Sequence, residues 1–133
     1  MIVIDASVLV TVLANDKQLG LVARNRIVDE ELCAPELIDL EVVSVLRKLV
    51  LSKKLDCERA EQAVSDLQSF RLKRVSHLNL VNRCWELHEN VTPYDAAYVG
   101  IAEALSCILL TADKKLANSP GIKCEVELMQ SRL

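Results

Sequence analysis

The sequence predicts an α/β domain built on a parallel sheet, on two patterns and one placement. Short apolar runs without polar alternation, residues 2–4 and 107–111, are the mark of strands covered by helices on both faces. Stretches of helical periodicity separate such runs along the whole of the 133 residues, the alternation that gives a parallel sheet between helices. Acids stand directly after two of the runs, Asp5 and Asp113, and in such sheets ligands bind beyond the carboxyl ends of the strands.

Residues 2–4 are the first strand and Asp5 ends it. A helix over 6–14 follows, with Ser7 and Thr11 its few polar residues, and Asn15-Asp16 marks a turn. Residues 19–31 read as an amphipathic helix. Leu32-Cys33-Ala34, stopped by Pro35, is the second strand. Pro35 also suits the first turn of a long helix over 36–53, whose apolar positions 37, 38, 42, 45, 46 and 49 keep helical spacing. A further helix spans 56–70, with Ser52 or Asp56 as its cap and Ala60, Ala63, Val64 and Leu67 facing inward. Residues 72–76 alternate apolar and basic, which suits a sheet edge. Residues 78–89 read as a helix carrying Leu80, Val81, Cys84, Trp85 and Leu87.

The helix over 92–105 begins abruptly. Thr92 is a good cap, Pro93 fits the first turn, and Asp95 lies near the positive end of the helix dipole. Small residues follow it (Ala96, Ala97, Gly100, Ala102), so this helix can approach a sheet closely. After the strand over 107–111 comes a short helical turn through Leu116. Ser119-Pro120-Gly121 then leads into a last strand over 122–128. The expectation is one domain over 1–133, with four to five short strands.

Composition narrows the class. Hydrophobic residues make up 51% and aromatics 3%, so the core is aliphatic. Three glycines and three prolines argue against disorder and against a turn-rich all-β fold. A net charge of −3 does not advertise a nucleic-acid binder. It does not exclude one either, if several carboxylates serve a cation. Five cysteines without C-x-x-C spacing, and His77 and His88 without partners, complete no zinc pattern. An odd cysteine count suits a reducing cytoplasm. Asp5 interrupts the apolar start and no basic leader precedes it, so neither a signal peptide nor a membrane span is expected.

Four acids carry the chemistry. Asp5 and Asp113 fall at the carboxyl rim, and Asp95 starts the helix that feeds the strand before Asp113. Glu41 shares a helix flank with Leu37, Ile38 and Val45 and has no cation at helical spacing. Each has a structural explanation as well: Asp5 and Asp113 as helix caps, Asp95 in a capping box with Thr92, Glu41 at the edge of its apolar arc. Together, four carboxylates on one rim repel unless cations neutralise them. Mg²⁺ or Mn²⁺ prefers such hard oxygen ligands, and the chemistry suited to them is attack of water on a phosphodiester.

Ile-Asp-Ala-Ser at 4–7, the Glu41 helix after Pro35, Tyr94-Asp95-Ala96-Ala97-Tyr98 and Leu110-Thr111-Ala112-Asp113 resemble the four motifs of PIN-domain nucleases. The short form is similar to VapC-type toxins of toxin–antitoxin pairs. The resemblance implies a three-layer α/β/α fold and a Mg²⁺-dependent endoribonuclease. Asp5, Glu41, Asp95 and Asp113 match its acidic quartet, with Asp5 and Asp95 the foremost metal ligands. Ser7 and Thr111 match supporting polar positions. Residues 114–118 offer no further acid for a second metal. The resemblance also implies a cognate antitoxin and a homodimer.

Among the remaining residues, Arg47, Lys114 and Lys115 are candidates to touch RNA phosphates, although Arg47 also suits a solvated helix face. Tyr94 and Tyr98 suit packing or an interface better than base stacking. Trp85 is expected in the core or at an interface. A PIN-like module that binds RNA or protein without cutting is the alternative function. A receiver-type domain fits poorly, because Asp5 has no adjacent acid.

Overall fold

The structure, a computed structural model, describes residues 1–130. The chain runs β1 (Ile2–Ile4), α1 (Ala6–Ala14), α2 (Gln18–Ile27), β2 (Leu32–Pro35), α3 (Ile38–Leu51), α4 (Cys57–Ser69) and β3 (Lys73–Val75). A 3₁₀ turn (Leu78–Leu80) then leads into α5 (Val81–Glu86), α6 (Pro93–Leu105), β4 (Leu109–Thr111), α7 (Lys114–Ala117) and β5 (Val126–Leu128). The strands form one parallel sheet in the order β3-β2-β1-β4-β5. The expected five-strand limit and the edge position of the basic strand both hold.

This order fixes where a site can form. The chain lays strands outward from β1 to β3, then returns across the sheet to β4. Right-handed crossovers in opposite directions put their helices on opposite faces. Accordingly α1 to α4 pack on one another, while α5 packs on α6 and α6 lies along β1, β2 and β4. The reversal falls between β1 and β4, whose carboxyl ends carry Asp5 and Asp113. A crevice opens at such a switch point because the two crossovers leave in opposite directions.

The core is aliphatic as expected. Val3, Ile4, Val8, Leu9, Ile38, Val42, Leu109 and Leu110 are fully buried, joined by Tyr98. Among the described residues, no helix is long and apolar enough to cross a membrane.

Several boundaries differ from the sequence expectation, each for a tertiary reason. The second helix stops at Ile27, because the carbonyl of Glu31 already accepts from the N–H of Ile2 in β1. The third starts at Ile38, because the N–H of Glu36 continues the sheet to the carbonyl of Val75. The last strand is confined to 126–128, since the N–H of Lys123 is held by Glu103 Oε2 at 2.7 Å. Residues 78–89 do not make one helix. Leu80 is seated against Gly100 of α6, where an added Cβ would lie 3.3 Å from Leu80 Cδ2. A 3₁₀ turn accommodates that seat and leaves Val81 and Trp85 exposed. Asp56 stands at the start of α4 without a side-chain capping bond. At the α1–α2 joint, Asn15 Oδ1 accepts from the N–H groups of Lys17 and Gly20.

Candidate active site

Asp5 follows β1 and caps α1. Its Oδ1 accepts from the N–H of Val8 at 3.1 Å and from Ser7 Oγ at 2.5 Å, and its Oδ2 accepts from Thr111 Oγ1. Both hydroxyls also accept a backbone N–H just beyond the end of β4. Ser7 Oγ accepts from the N–H of Ala112 at 3.0 Å, and Thr111 Oγ1 accepts from the N–H of Asp113 at 3.0 Å. Ser7 and Thr111 thus tie the ends of β1 and β4 together across the switch point, with the Asp5 carboxylate as the knot. Asp5 is only 5% exposed. Burial pushes its carboxyl pKa up, the hydrogen bonds from Ser7, Thr111 and Val8 oppose this, and the charge of Asp113 adds to the rise.

Asp113 is exposed and caps α7, its Oδ1 accepting from the N–H groups of Lys115 at 2.9 Å and Leu116 at 3.3 Å. Asp95 lies in the first turn of α6, where its N–H donates to Thr92 Oγ1 at 3.2 Å. Its pKa is raised by partial burial, then by the charges of Asp5 and Asp113, against a smaller pull from Lys115. Glu41 reaches the group from α3 on the other helical layer. Its pKa is raised by burial and by the charges of Asp95 and Asp5, while the hydroxyl of Tyr98 opposes the rise.

Asp5 and Asp95 thus raise the pKa of Glu41, and Asp113 raises those of Asp5 and Asp95. The described ion pairs join Arg26, Arg59, Arg74 and Arg83 to acids elsewhere; none reaches these four. The acids do not form a closed cage. Among the described residues, no three His, Cys, Asp or Glu side chains are grouped so as to hold an ion as they stand. Asp5 is turned to its hydroxyls and Asp113 to the start of α7, which keeps repelling oxygens apart.

Tyr98 packs in the core, one of the two places expected for it, but its bond to Glu41 is what the sequence reading missed. It is 1% exposed, and its hydroxyl donates to Glu41 Oε1 at 2.6 Å. Glu41 therefore has a protein partner, contrary to its lack of one along its own helix. The signal was present: a tyrosine in an otherwise small apolar stretch needs a partner for its hydroxyl once buried. Tyr94, by contrast, is 60% exposed.

Asp95 and Asp113 open into a groove of about 700 Å³, lined also by Lys115, Trp85, His88 and Val91. Lys114 and Arg47 are exposed and do not line it. Trp85 is not in the core.

The sequence and the fold have counterparts among known proteins. The PIN domain family model matches residues 2–121. Ribonuclease VapC1 of Mycobacterium tuberculosis (strain ATCC 25618 / H37Rv) is 39% identical over 129 residues, covering 96% of this chain and 97% of that protein. Ribonuclease VapC9 of the same strain is 36% identical over 129 residues, covering 97% and 98%. A chain of VapBC2 from Rickettsia felis, in a crystal structure bound to a DNA fragment from their promoter, superposes with a TM-score of 0.67 at 14% identity. The match covers 98% of this chain and 100% of that one, and shows the shared fold.

Proposed function

We propose that this chain, which belongs to the PIN-domain family and groups there with VapC ribonucleases, is a metal-dependent endoribonuclease. It hydrolyses RNA phosphodiester bonds and acts as the toxin of a toxin–antitoxin pair. PIN-domain ribonucleases generally depend on a divalent metal; Mg²⁺, with Mn²⁺ as a substitute, is our assignment. One observation supports the reading: Asp5 and Asp113 follow the strands on either side of the switch point, Asp95 and Glu41 are near enough for neighbouring carboxylates to raise their pKa values, and among the described residues no arginine or lysine ion-pairs with any of the four.

The donor set fits such an ion. It is all carboxylate oxygen, and three of the four acids have pKa values raised by burial and, to a lesser degree, by neighbouring carboxylates. Asp5 and Asp95 would hold the metal, with Glu41 and Asp113 completing the field. When bound, a divalent ion supplies an acidified water and charge stabilisation at the phosphate. Ser7 and Thr111 fix the Asp5 carboxylate in one orientation. Tyr98 occupies Glu41 Oε1, so Oε2 remains to accept a proton from water. Lys115, in the same groove, offsets the negative field that would repel RNA.

The partners follow from the same charge. A cognate antitoxin would place a cationic side chain over the acids, where a guanidinium can take the metal's role. We assign a homodimer and a cytoplasmic location on the same family reading.

The test is RNA cleavage by Asp5→Asn and Asp95→Asn, with Mg²⁺ and with chelator. Asparagine at position 5 keeps the cap of α1, and α6 is capped by Thr92, so both variants should fold with wild-type circular dichroism. Cleavage should fall by at least ~100-fold, about 2.7 kcal/mol or more of transition-state stabilisation. Wild-type turnover by either variant removes the assignment. A non-cleaving binding module is favoured by one feature, the three hydrogen bonds already made to Asp5. Calorimetric Mg²⁺ and RNA binding without turnover would establish that reading instead.

A further inference from the structure

Trp85 is the chain's only tryptophan, and it is 69% exposed. With Val81, 53% exposed and lining the same groove, it makes an apolar patch of the kind that marks an interaction site. The ring is not loose. It stacks on His88 with centroids 4.1 Å apart and planes 6° from parallel. His88 is pinned in turn, for its Nδ1–H donates to the Trp85 carbonyl at 2.6 Å. A carbonyl only accepts, so the ring proton is on Nδ1. The short helix beneath is braced by Arg83, which donates to both Glu103 oxygens, at 2.7 and 3.0 Å, and to the Gly121 carbonyl at 2.9 Å.

Both rings line the groove into which Asp95 and Asp113 open, and Lys115 lines it too. Parallel ring faces beside a cation are the surface that receives an unstacked nucleobase and its phosphate. Leu78 and Val81 are also exposed nearby, which would suit a second copy of the chain. Leu78 lies outside the groove, however, and Val81 lines it together with both rings, Asp95, Asp113 and Lys115, which joins the apolar surface to the acids and the cation.

We propose that Trp85 and His88 form a base-stacking subsite for a nucleotide next to the scissile phosphate, with Lys115 on the phosphate between. The inference rests on the ribonuclease reading above. A paired base must first leave its helix to reach the rings.

The sole tryptophan makes the test direct. A single-stranded RNA of roughly ten nucleotides, enough to cross one such groove, is titrated onto the protein in Ca²⁺ to slow cleavage. Saturable quenching of tryptophan fluorescence is expected. By anisotropy of the same RNA carrying a fluorescent label, Trp85→Ala should weaken binding about tenfold and raise KM similarly with kcat kept, while Trp85→Tyr keeps most of the affinity. An abasic nucleotide at the contacted position should erase the difference between wild type and Trp85→Ala. Unchanged fluorescence at saturation, or wild-type binding by Trp85→Ala, overturns the subsite. So does a Trp85→Ala that alters only self-association in sedimentation, which would assign the face to a second copy. Wild-type cleavage with an indifferent Trp85→Ala sinks the subsite alone; a folded wild type that neither binds nor cleaves RNA sinks the ribonuclease reading with it.

Discussion

Replacing Tyr98 by Phe removes a single oxygen from the centre of the molecule, and its consequences can be worked through. The hydroxyl donates to Glu41 Oε1 at 2.6 Å from a side chain 1% exposed. A hydrogen bond to a charged group contributes about 1.5–3 kcal/mol net. Glu41 is only half-buried and recovers some water, so the stability loss should be about 1–2 kcal/mol. In a chain of this size that lowers Tm by roughly 3–8 °C. Tyr98 also holds Glu41 in place, and loss of such a supporting partner typically costs ~10–100-fold in metal affinity or activity. Thermal melts and cleavage against Mg²⁺ concentration measure the two effects. The decisive control is the double-mutant cycle with Glu41→Ala. If Tyr98→Phe and Glu41→Ala add to within about 0.5 kcal/mol, the two residues do not act through each other and the argument fails.

Asp95→Asn should stabilise the metal-free protein at neutral pH. The folded-state pKa of Asp95 is raised, so its ionised form opposes folding. That penalty is absent below the ordinary carboxylate pKa, grows as pH rises through the folded value, and is constant above it. The Tm advantage of the variant should therefore vanish near pH ~3, and added Mg²⁺ should raise the Tm of wild type but not of the variant. Arg83→Ala should cost about 2–3 kcal/mol, because it strands Glu103, whose side chain is 16% exposed. Chemical denaturation would measure it, and Arg83→Met with Glu103→Leu should restore most of the loss. Gly20→Ala should destabilise by about 2–3 kcal/mol, since its new methyl would lie 1.8 Å from the Asn15 carbonyl oxygen. A melt within a degree or two of wild type would contradict that packing.

The parts of the fold legible in the sequence were those set by local pattern. Residues 6–14 are helical as expected, bounded by Asp5 and Asn15, whose cap chemistry is local. Thr92 and Pro93 likewise start α6 where they should. Boundaries set by distant partners were not legible. Nothing near Glu36 announces that its N–H goes to Val75, and nothing near Leu80 announces that Gly100 receives it. The acids were legible because acids at strand ends and on an apolar flank are costly in isolation. Tyr98 was not, because its partner lies 57 residues away in sequence. Of the two places expected for Trp85, core or interface, the structure removes the core, because a place in an apolar periodicity says nothing of whether another layer covers it.

Asp5 and Asp113 each start a helix with a carboxylate that is also counted in the candidate site. The genetic consequence is that losing activity and losing the fold are separable events. Aspartate and asparagine codons differ by one transition, and asparagine caps a helix as well as aspartate does. A gene whose product harms its host thus lies a single base from a folded, silent allele. Such an allele would keep the shape that an antitoxin recognises and compete for it with the active form.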